Sequence, residues 1–321
     1  MIMKKLSAFM MIIILLISGC SQESVTNPVD KKMKIGIMLS DVGLGDQSFS
    51  DAAFRGLEKA RDEIGIIFDY RELKDTETYE QGITELVNEQ YDVIVGLGFM
   101  VQEDLEKVAS KFPDQQFILV DAVSELGNIT SITFKEDQGS FLAGVVAALS
   151  TKTEKLGFIG GADVPLINKF EQGFIEGAKS INPSIEVAVS YANDFGNDQL
   201  GASMADEMIK NEADVLYAAA GFTGVGMLKK AQEKEVLAIG VDSDQYFYAE
   251  KAVVTSMMKN VDVAMYQIAE QLVEKGEVQA GHIELGIKED GIGLAPIRVK
   301  HFTNDEQKII DEWKDKLSNE S

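Results

Sequence analysis

The sequence has few residues of the types that most often carry covalent catalysis, redox chemistry or metal binding. Its 321 residues include one cysteine, Cys20, which excludes an intrachain disulfide, a cysteine-based zinc site and a second redox thiol. There are only two histidines, His282 and His301, and neither lies in a catalytic motif or at metal-ligand spacing. Basic residues number 30 against 53 acidic ones, so the chain, at a formal net charge of -23, is expected to repel nucleic acid.

Proline and long apolar runs are also scarce. Five prolines, 45% hydrophobic residues and 26% charged residues are typical of a folded globular protein. The run AFMMIIILLI (8–17) follows two lysines, is too short for a stable membrane helix and precedes small residues, which predicts a secretory signal peptide over residues 1–19. The stretch ISGC resembles a bacterial lipobox, which implies cleavage before Cys20 and its acylation, including palmitate-type chains. Residues 20–33 are then an acylated cysteine and a polar tether.

From residue 34 onward, short apolar runs alternate with helical segments of about a dozen residues. KIGIML is the first strand candidate, and FSDAAFRGLEKARDEI follows it with its apolar residues at helical spacing. This alternation predicts βαβ units and parallel sheets, which is an α/β fold.

Two parts of the chain are similar in pattern. DVIVGLG begins at Asp92 and DVLYAAAG at Asp214, and each is followed by a helical segment and an apolar strand that ends in aspartate. These strand-end residues, Asp121 and Asp242, come 29 and 28 residues after the respective first aspartates. We therefore predict two similar α/β lobes.

Three aspartates are predicted at the carboxyl ends of strands, namely Asp41, Asp121 and Asp242. Ligands of open α/β sheets bind beyond these ends. Two lobes whose strand ends face each other would form a cleft suited to a small molecule.

The glycine-rich loop SDVGLGDQSF (40–49) has the strand–turn–helix layout of a phosphate-binding loop. It lacks the third glycine of the dinucleotide pattern and the lysine of a P-loop. Asp41 and Asp46 flank the loop, and their charges would oppose a phosphate. Phosphate binding is therefore not expected here.

The same loop suits a neutral ligand with hydroxyl and N–H groups. Ionised aspartates accept hydrogen bonds, and the rings of Phe49 and Phe195 offer faces to a flat heterocycle that carries a sugar. Alternative interpretations are that either ring belongs to the core, that Asp46 or Ser50 caps the helix, and that Asp121 serves a turn. A paired-carboxylate hydrolase is a further alternative, although no residue stands out as its acid or base.

Several motifs together resemble the basic membrane protein family of bacterial substrate-binding lipoproteins, and within it the purine nucleoside receptors. They extend from about residue 34 to 270 and comprise SDVGLGDQSFSDAAFRGL, KFPDQQFILVDAVS, EDQGSFLAGVVAAL, FEQGFIEGAK, YANDFGND, AAAGFTGVG, AIGVDSDQY and VVTSMMKNVDVA. The resemblance implies a type I periplasmic-binding-protein fold with two doubly wound α/β lobes joined by a three-stranded hinge. The N-terminal lobe would comprise residues 34–132 and about 258–286, and the C-terminal lobe residues 133–257 and about 287–321.

The resemblance also implies the ligand-binding residues. Phe49 and Phe195 would stack on the base, and Asp41 and Asp121 would accept base-edge protons, with Ser50 nearby. The residues implied to hold the ribose are Gly221, Asp242 and Lys259. The ammonium of Lys259 would donate to the hydroxyls that Asp242 holds. Ser50 stands where the family commonly has asparagine.

The function implied is that of a binding protein without enzymatic activity, cofactor or metal. It would lie on the extracytoplasmic face of the cell membrane, anchored through Cys20, and deliver a nucleoside to an ABC permease and ATPase on other chains. A monomer is expected by analogy with the fold, and the net charge of -23 argues against binding of nucleic acid. The alternatives are a sensor or regulatory lipoprotein of the same fold and a nucleoside hydrolase.

Overall fold

Twelve strands form two six-stranded sheets in the computed structural model, which describes residues 32–319. The chain from Met33 onward makes up one structural unit, and the fold given below is that of this unit. The predicted signal peptide, Cys20 and the tether up to residue 31 lie outside the described residues.

The first sheet is parallel throughout. Its strands are β1 (Lys34–Met38), β2 (Ile67–Arg71), β3 (Val93–Leu97), β4 (Gln116–Val120), β5 (Ile129–Phe134) and β11 (Gly281–Leu285), in the order β11-β5-β4-β3-β1-β2. The second sheet contains β6 (Lys155–Gly160), β7 (Glu186–Tyr191), β8 (Val215–Ala219), β9 (Leu237–Asp242), β10 (Val253–Lys259) and β12 (Ile292–Leu294), in the order β12-β10-β9-β8-β6-β7. Within it only β12 is antiparallel to its neighbour.

Helices cover the faces of both sheets. They are α1 (Phe49–Ile64), α2 (Leu73–Thr76), α3 (Tyr79–Asn88), α4 (Gln102–Lys111), α5 (Glu136–Ser150), α6 (Pro165–Ile181), α7 (Asp198–Lys210), α8 (Gly221–Glu233), α9 (Val261–Lys275) and α10 (Asn304–Asn319). Short 3-10 turns lie at Phe99–Val101 and Tyr246–Tyr248. Among residues 32–319, no helix combines the length and the apolar character needed to cross a membrane.

The hydrophobic pattern explains these elements. All five residues of β3 are buried, because a central strand of a parallel sheet is covered on both faces. In α1 the residues Ala53, Leu57 and Ala60 recur on one face and are buried against the sheet. Gly65 ends this helix with a φ of 78°, a left-handed conformation that glycine adopts without steric penalty.

The two sheets repeat the same strand order, which confirms two similar α/β lobes. The first aspartates of the two similar stretches also have the same structural role. The carboxylate of Asp92 accepts a hydrogen bond from the backbone N–H of Lys34 at 2.6 Å, and that of Asp214 accepts one from Lys152 at 2.7 Å. Each aspartate thus ties down the chain at or just before the first strand of its lobe.

The chain passes between the two sheets three times. The crossings lie between β5 and α5, between β10 and α9, and between β11 and β12. Helix α9 packs on α1 of the first sheet, whereas α5 and α10 pack with the second. The carboxyl ends of both sets of parallel strands face the cleft that these crossings span.

Helices α5 and α6 approach each other closely through glycines. A Cβ atom on Gly177 would overlap the carbonyl oxygen of Phe141, and one on Gly144 would overlap that of Phe174.

We expect Gly177→Ala to destabilise the domain by about 1–3 kcal/mol, since overpacking outweighs the better helix propensity of alanine. Thermal unfolding followed by circular dichroism would measure this, with Gly127→Ala as the control because a Cβ there meets no atom within 4 Å. An unchanged melting temperature for Gly177→Ala would contradict the close packing.

Candidate functional site

A cavity lies between the two lobes, at the carboxyl ends of the parallel strands of both sheets. Its volume is about 80 Å³. Seven of the eight ligand-binding residues predicted from the sequence line it: Asp41, Phe49, Asp121, Phe195, Gly221, Asp242 and Lys259. The fold therefore brings together residues that are more than 200 positions apart in sequence.

The eighth predicted residue, Ser50, does not line the cavity. Its side chain is fully buried behind the wall, and its hydroxyl lies 2.7 Å from the hydroxyl of Ser40, which does line the cavity. The structure therefore places Ser40, and not Ser50, where a ligand can be contacted directly.

The carboxylate of Asp46 caps helix α1, as one of the alternative interpretations predicted. It accepts hydrogen bonds from the backbone N–H groups of Ser48 and Asp51 through Oδ1, at 2.9 and 3.1 Å, and from that of Ser50 through Oδ2, at 2.6 Å. Burial raises the pKa of Asp46 to about 6, against the opposing effect of these three donors.

Other N–H groups of the glycine-rich loop are also occupied. The backbone N–H of Leu44 donates to Glu72 at 2.9 Å, and those of Gly45 and Gln47 donate to Asp51 at 2.8 and 3.1 Å. Because carboxylates of the chain itself hold these donors, they are not available to a phosphate. The structure supports the exclusion of phosphate binding that was argued from the sequence.

Asp121 and Asp242 occupy equivalent places in the two sheets, at the ends of β4 and β9. Both have left-handed backbones, with φ of 69° and 63°, which aspartate tolerates better than most residues. Burial raises the pKa of each, and the positive charge of Lys259 opposes this rise. Burial likewise raises the pKa of Asp41, with a further contribution from the nearby Asp194.

The ammonium of Lys259 is the central positive charge of the site. It lies 2.7 Å from Asp121 and 3.1 Å from Glu136, and only 2% of its side chain is exposed. The ring centroids of Phe134, Phe49 and Phe170 lie 5.0, 5.1 and 5.7 Å from it. Burial lowers the pKa of Lys259, but the surrounding carboxylates outweigh this effect and hold it above its usual value.

The direct partner of Asp242 is Ser48, whose hydroxyl donates to Oδ2 from the opposite lobe. Lys259 bonds instead to the Oδ2 atom of Asp121, at 2.7 Å. Beside Ser48, the side-chain amide of Gln245 donates to the backbone carbonyl of Gln47 at 3.1 Å. These bonds join the two lobes along one side of the cavity.

Aromatic side chains of both lobes meet on another side. The rings of Phe99 and Phe195 are in edge-to-face contact, with centroids 6.4 Å apart. Phe195 packs over Gly161, where a Cβ would overlap the ring, and Gly221 lies beside it with a φ of 53°. The absence of a side chain at Gly161 is what allows the ring of Phe195 to lie at the cavity wall.

Residues of the site that were not predicted from the sequence include Ser40, Ser48, Phe99, Glu136 and Phe170. Phe170 has helical apolar spacing like any core residue, and Glu136 looks like an ordinary acidic residue in the first turn of a helix. Their roles depend on contacts between distant segments, for which the local sequence carries no signal. Among residues 32–319, no group of three or more histidine, cysteine or acidic side chains is arranged to hold a metal ion.

The two lobes and the cavity between them are those of a solute-binding protein of an ABC transport system. The chain belongs to the Bmp family, described as ABC transporter substrate-binding protein PnrA-like, whose model matches residues 33–321.

Named relatives agree with this family. The "CD4+ T-cell-stimulating antigen" of Listeria innocua is 33% identical over 93% of this chain and 90% of that protein. An uncharacterized lipoprotein of Pyrococcus abyssi is 33% identical over 90% of this chain and 75% of its own length. The "ABC transporter nucleoside-binding protein BmpA" of Lactococcus lactis is 30% identical over 90% and 89%.

Solved structures share the fold. A solute-binding protein of an ABC transporter system from Aeropyrum pernix superposes with a TM-score of 0.82 at 27% identity, covering 89% of this chain and 91% of that one. A transcriptional activator of the comK gene from Bacillus halodurans gives 0.77 at 21% identity, covering 89% and 98%, which shows the fold alone.

Proposed function

We propose that the protein binds nucleosides, purine nucleosides in particular, in the cavity between the lobes and delivers them to an ABC importer. The observation that carries this proposal is that two aromatic rings, Phe49 and Phe195, line the same cavity as the carboxylates of Asp41, Asp121 and Asp242. Rings suit the faces of a heterocycle, and carboxylates suit its N–H groups and the sugar hydroxyls. The name of the Lactococcus lactis relative supports this ligand class.

An unpartnered acceptor gives further support. The Oδ1 atom of Asp121 is buried and has no hydrogen-bond partner among residues 32–319. Leaving such an atom unpaired costs about 1–3 kcal/mol, or more when it is charged. An N–H or O–H group of a bound nucleoside would supply the missing donor.

The proposed roles follow from these positions. Phe49 and Phe195 stack on the base, while Asp41 and Asp121 accept its edge protons. Gly221, Asp242 and Lys259 hold the ribose. Ser50 contributes from behind the cavity wall, through its hydrogen bond with Ser40.

Closure of the lobes completes the site. The proposed lobes are residues 34–132 with about 258–286, and residues 133–257 with about 287–321. They rotate about the three crossings, and a closed, liganded form is presented to the permease. We further propose that acylated Cys20 anchors a monomer to the extracytoplasmic face of the membrane, and that binding occurs without catalysis.

The test is calorimetric titration of residues 33–321 with inosine, guanosine, adenosine, uridine and cytidine, and with ribose and free bases as controls. Micromolar or tighter binding of purine nucleosides, with weaker binding of the pyrimidines, would agree with the proposal. If no nucleoside bound at micromolar concentrations, the ligand class would be wrong.

Phosphorylated ligands are expected to bind much more weakly. Asp41, Asp121 and Asp242 line a cavity whose central cation, Lys259, is already paired, so the two negative charges of a 5′-phosphate would meet carboxylates at low dielectric. We expect inosine 5′-monophosphate to bind at least about 100-fold more weakly than inosine, equivalent to ~2.7 kcal/mol. Equal affinities in the same calorimetric assay would contradict this electrostatic argument.

Two alternatives are separated by simple assays. A hydrolase would release free base from inosine or guanosine at catalytic rates, which chromatography of the incubated mixture would detect. A sensor would bind the nucleoside but lack genes for permeases and an ATPase beside its own.

A further inference from the structure

Glu136 is a buried carboxylate to which no role has been assigned. Its side chain is completely buried, and it does not line the cavity. Its Oε1 atom lies 3.1 Å from the ammonium of Lys259, and its Oε2 atom lies 3.6 Å from that of Lys169, whose side chain is 44% exposed. Neither oxygen makes an aligned hydrogen bond within residues 32–319, so the interactions are ion pairs.

Glu136 and Lys259 both lie next to the points where the chain crosses between the sheets. Glu136 is the first residue of α5, directly after the first crossing between the sheets, and Lys259 is the last residue of β10, directly before the second. Residues next to the crossings move least when lobes rotate about them. The contact between Glu136 and Lys259 therefore joins two crossings and can persist when the cleft opens.

Glu136 is a second anion beside the ammonium of Lys259, at 3.1 Å, and its carboxylate does not line the cavity. The same ammonium donates to the Oδ2 atom of Asp121. The Oδ1 atom of Asp121 has no partner among residues 32–319 and can accept a donor from the ligand.

We infer that Glu136 is a positioning residue of the ligand site, which acts by fixing the ammonium of Lys259 at the cavity wall. This inference rests on the proposed nucleoside binding and adds a residue to that site. Glu136 does not touch the ligand, so its effect on affinity passes through Lys259.

The experiment compares Glu136→Gln with Asp137→Asn in calorimetric titrations with inosine and guanosine. Both variants lose one carboxylate from the first turn of α5, but Asp137 is exposed and has no contact with the site. We expect Glu136→Gln to bind about tenfold more weakly, and Asp137→Asn to bind like the wild type. A role in stability alone would lower the melting temperature of Glu136→Gln and leave the dissociation constant of the folded protein unchanged, which would overturn the inference.

Two further variants test the route through Lys259. The double variant Glu136→Gln/Lys259→Met should bind no more weakly than Lys259→Met alone, since the residue through which Glu136 acts is already absent. Independent, additive losses would overturn the inference. Glu136→Asp keeps the negative charge and is expected to recover part of the affinity that Glu136→Gln loses. If Glu136→Gln or Lys259→Met does not fold, the comparison of Glu136→Asp with the wild type tests the inference instead.

The outcomes distinguish this inference from the proposal on which it rests. A wild-type domain that binds neither inosine nor guanosine would overturn both. A wild-type domain that binds them, together with Glu136→Gln or Glu136→Asp binding equally well, would overturn only the role of Glu136.

Discussion

Replacement of Asp242 by alanine is expected to remove most of the nucleoside affinity while the domain remains folded. The carboxylate lines the cavity and has one direct side-chain partner among residues 32–319, the hydroxyl of Ser48. Losing a hydrogen bond to a charged group costs about 1.5–3 kcal/mol, which is roughly a 10- to 150-fold loss of affinity. Folding should be little affected, because the variant also removes a partly buried negative charge.

Asp244 provides a matched control for this experiment. It lies two residues further along the same loop, but its carboxylate pairs with Arg298 at 2.8 Å and does not line the cavity. Calorimetric titration with inosine should therefore show a large loss for Asp242→Ala and a small one for Asp244→Ala. Equal affinities for Asp242→Ala and the wild type would remove Asp242 from the site.

Replacement of Lys259 by methionine is expected to destabilise the folded domain by about 3–5 kcal/mol, because it leaves buried charge without a partner. The two carboxylates concerned are those of Asp121 and Glu136, both fully or almost fully buried. Thermal or urea unfolding would measure the loss. Lys251→Met is the control, since it removes an exposed lysine outside the site.

The pH dependence of this variant has a definite sign. Burial already raises the pKa values of Asp121 and Glu136, and the variant removes the cation that opposes this rise. The folded state then binds more protons than the unfolded chain, whose carboxyl pKa values are about 3.9 and 4.3. Stability should fall as pH rises from those values through the raised folded-state pKa values, so we expect Lys259→Met to be more stable at pH 5 than at pH 7.5. A variant that is less stable at pH 5 than at pH 7.5 would contradict this assignment.

In the wild type the same linkage acts at high pH. The folded-state pKa of Lys259 is above its ordinary value of 10.5. Its contribution to stability is therefore complete below that ordinary value and is lost as pH rises through the folded-state pKa.

The sequence predicts the parts of the site that depend on local pattern. The buried apolar strands that end in aspartate could be recognised from the sequence pattern. The repeated spacing of these strands likewise predicted the two α/β lobes. Strand β5 was missed because its sequence, ITSITF, mixes hydroxyls with apolar residues although all six residues are buried. Its hydroxyls find partners far along the chain, for example Thr130 with the carbonyl of Gln279 at 3.0 Å and Thr133 with His282 at 2.7 Å.

The ion pairs of Lys259 could not be predicted from the sequence either, because their partners also lie far apart along the chain. The family resemblance implied that Lys259 and Asp121 line the same cleft, but it grouped Lys259 with Asp242. The observed partners of Lys259 are Asp121 and Glu136, and Glu136 comes close only through the crossings between the lobes. Ser50 shows the converse case, because its place beside Phe49 suggested a ligand contact, and helix geometry turns it away from the cavity.

The glycine-rich loop before α1 has a consequence for the thermodynamics of recognition. Its N–H groups are held by Glu72, Asp46 and Asp51, so its backbone is ordered by internal anions and not by a ligand. Phe49 at the start of α1 is thereby held in place before any ligand arrives. The proposed stacking of a base on this preorganised ring would cost little conformational entropy, which leaves more of the stacking free energy for affinity.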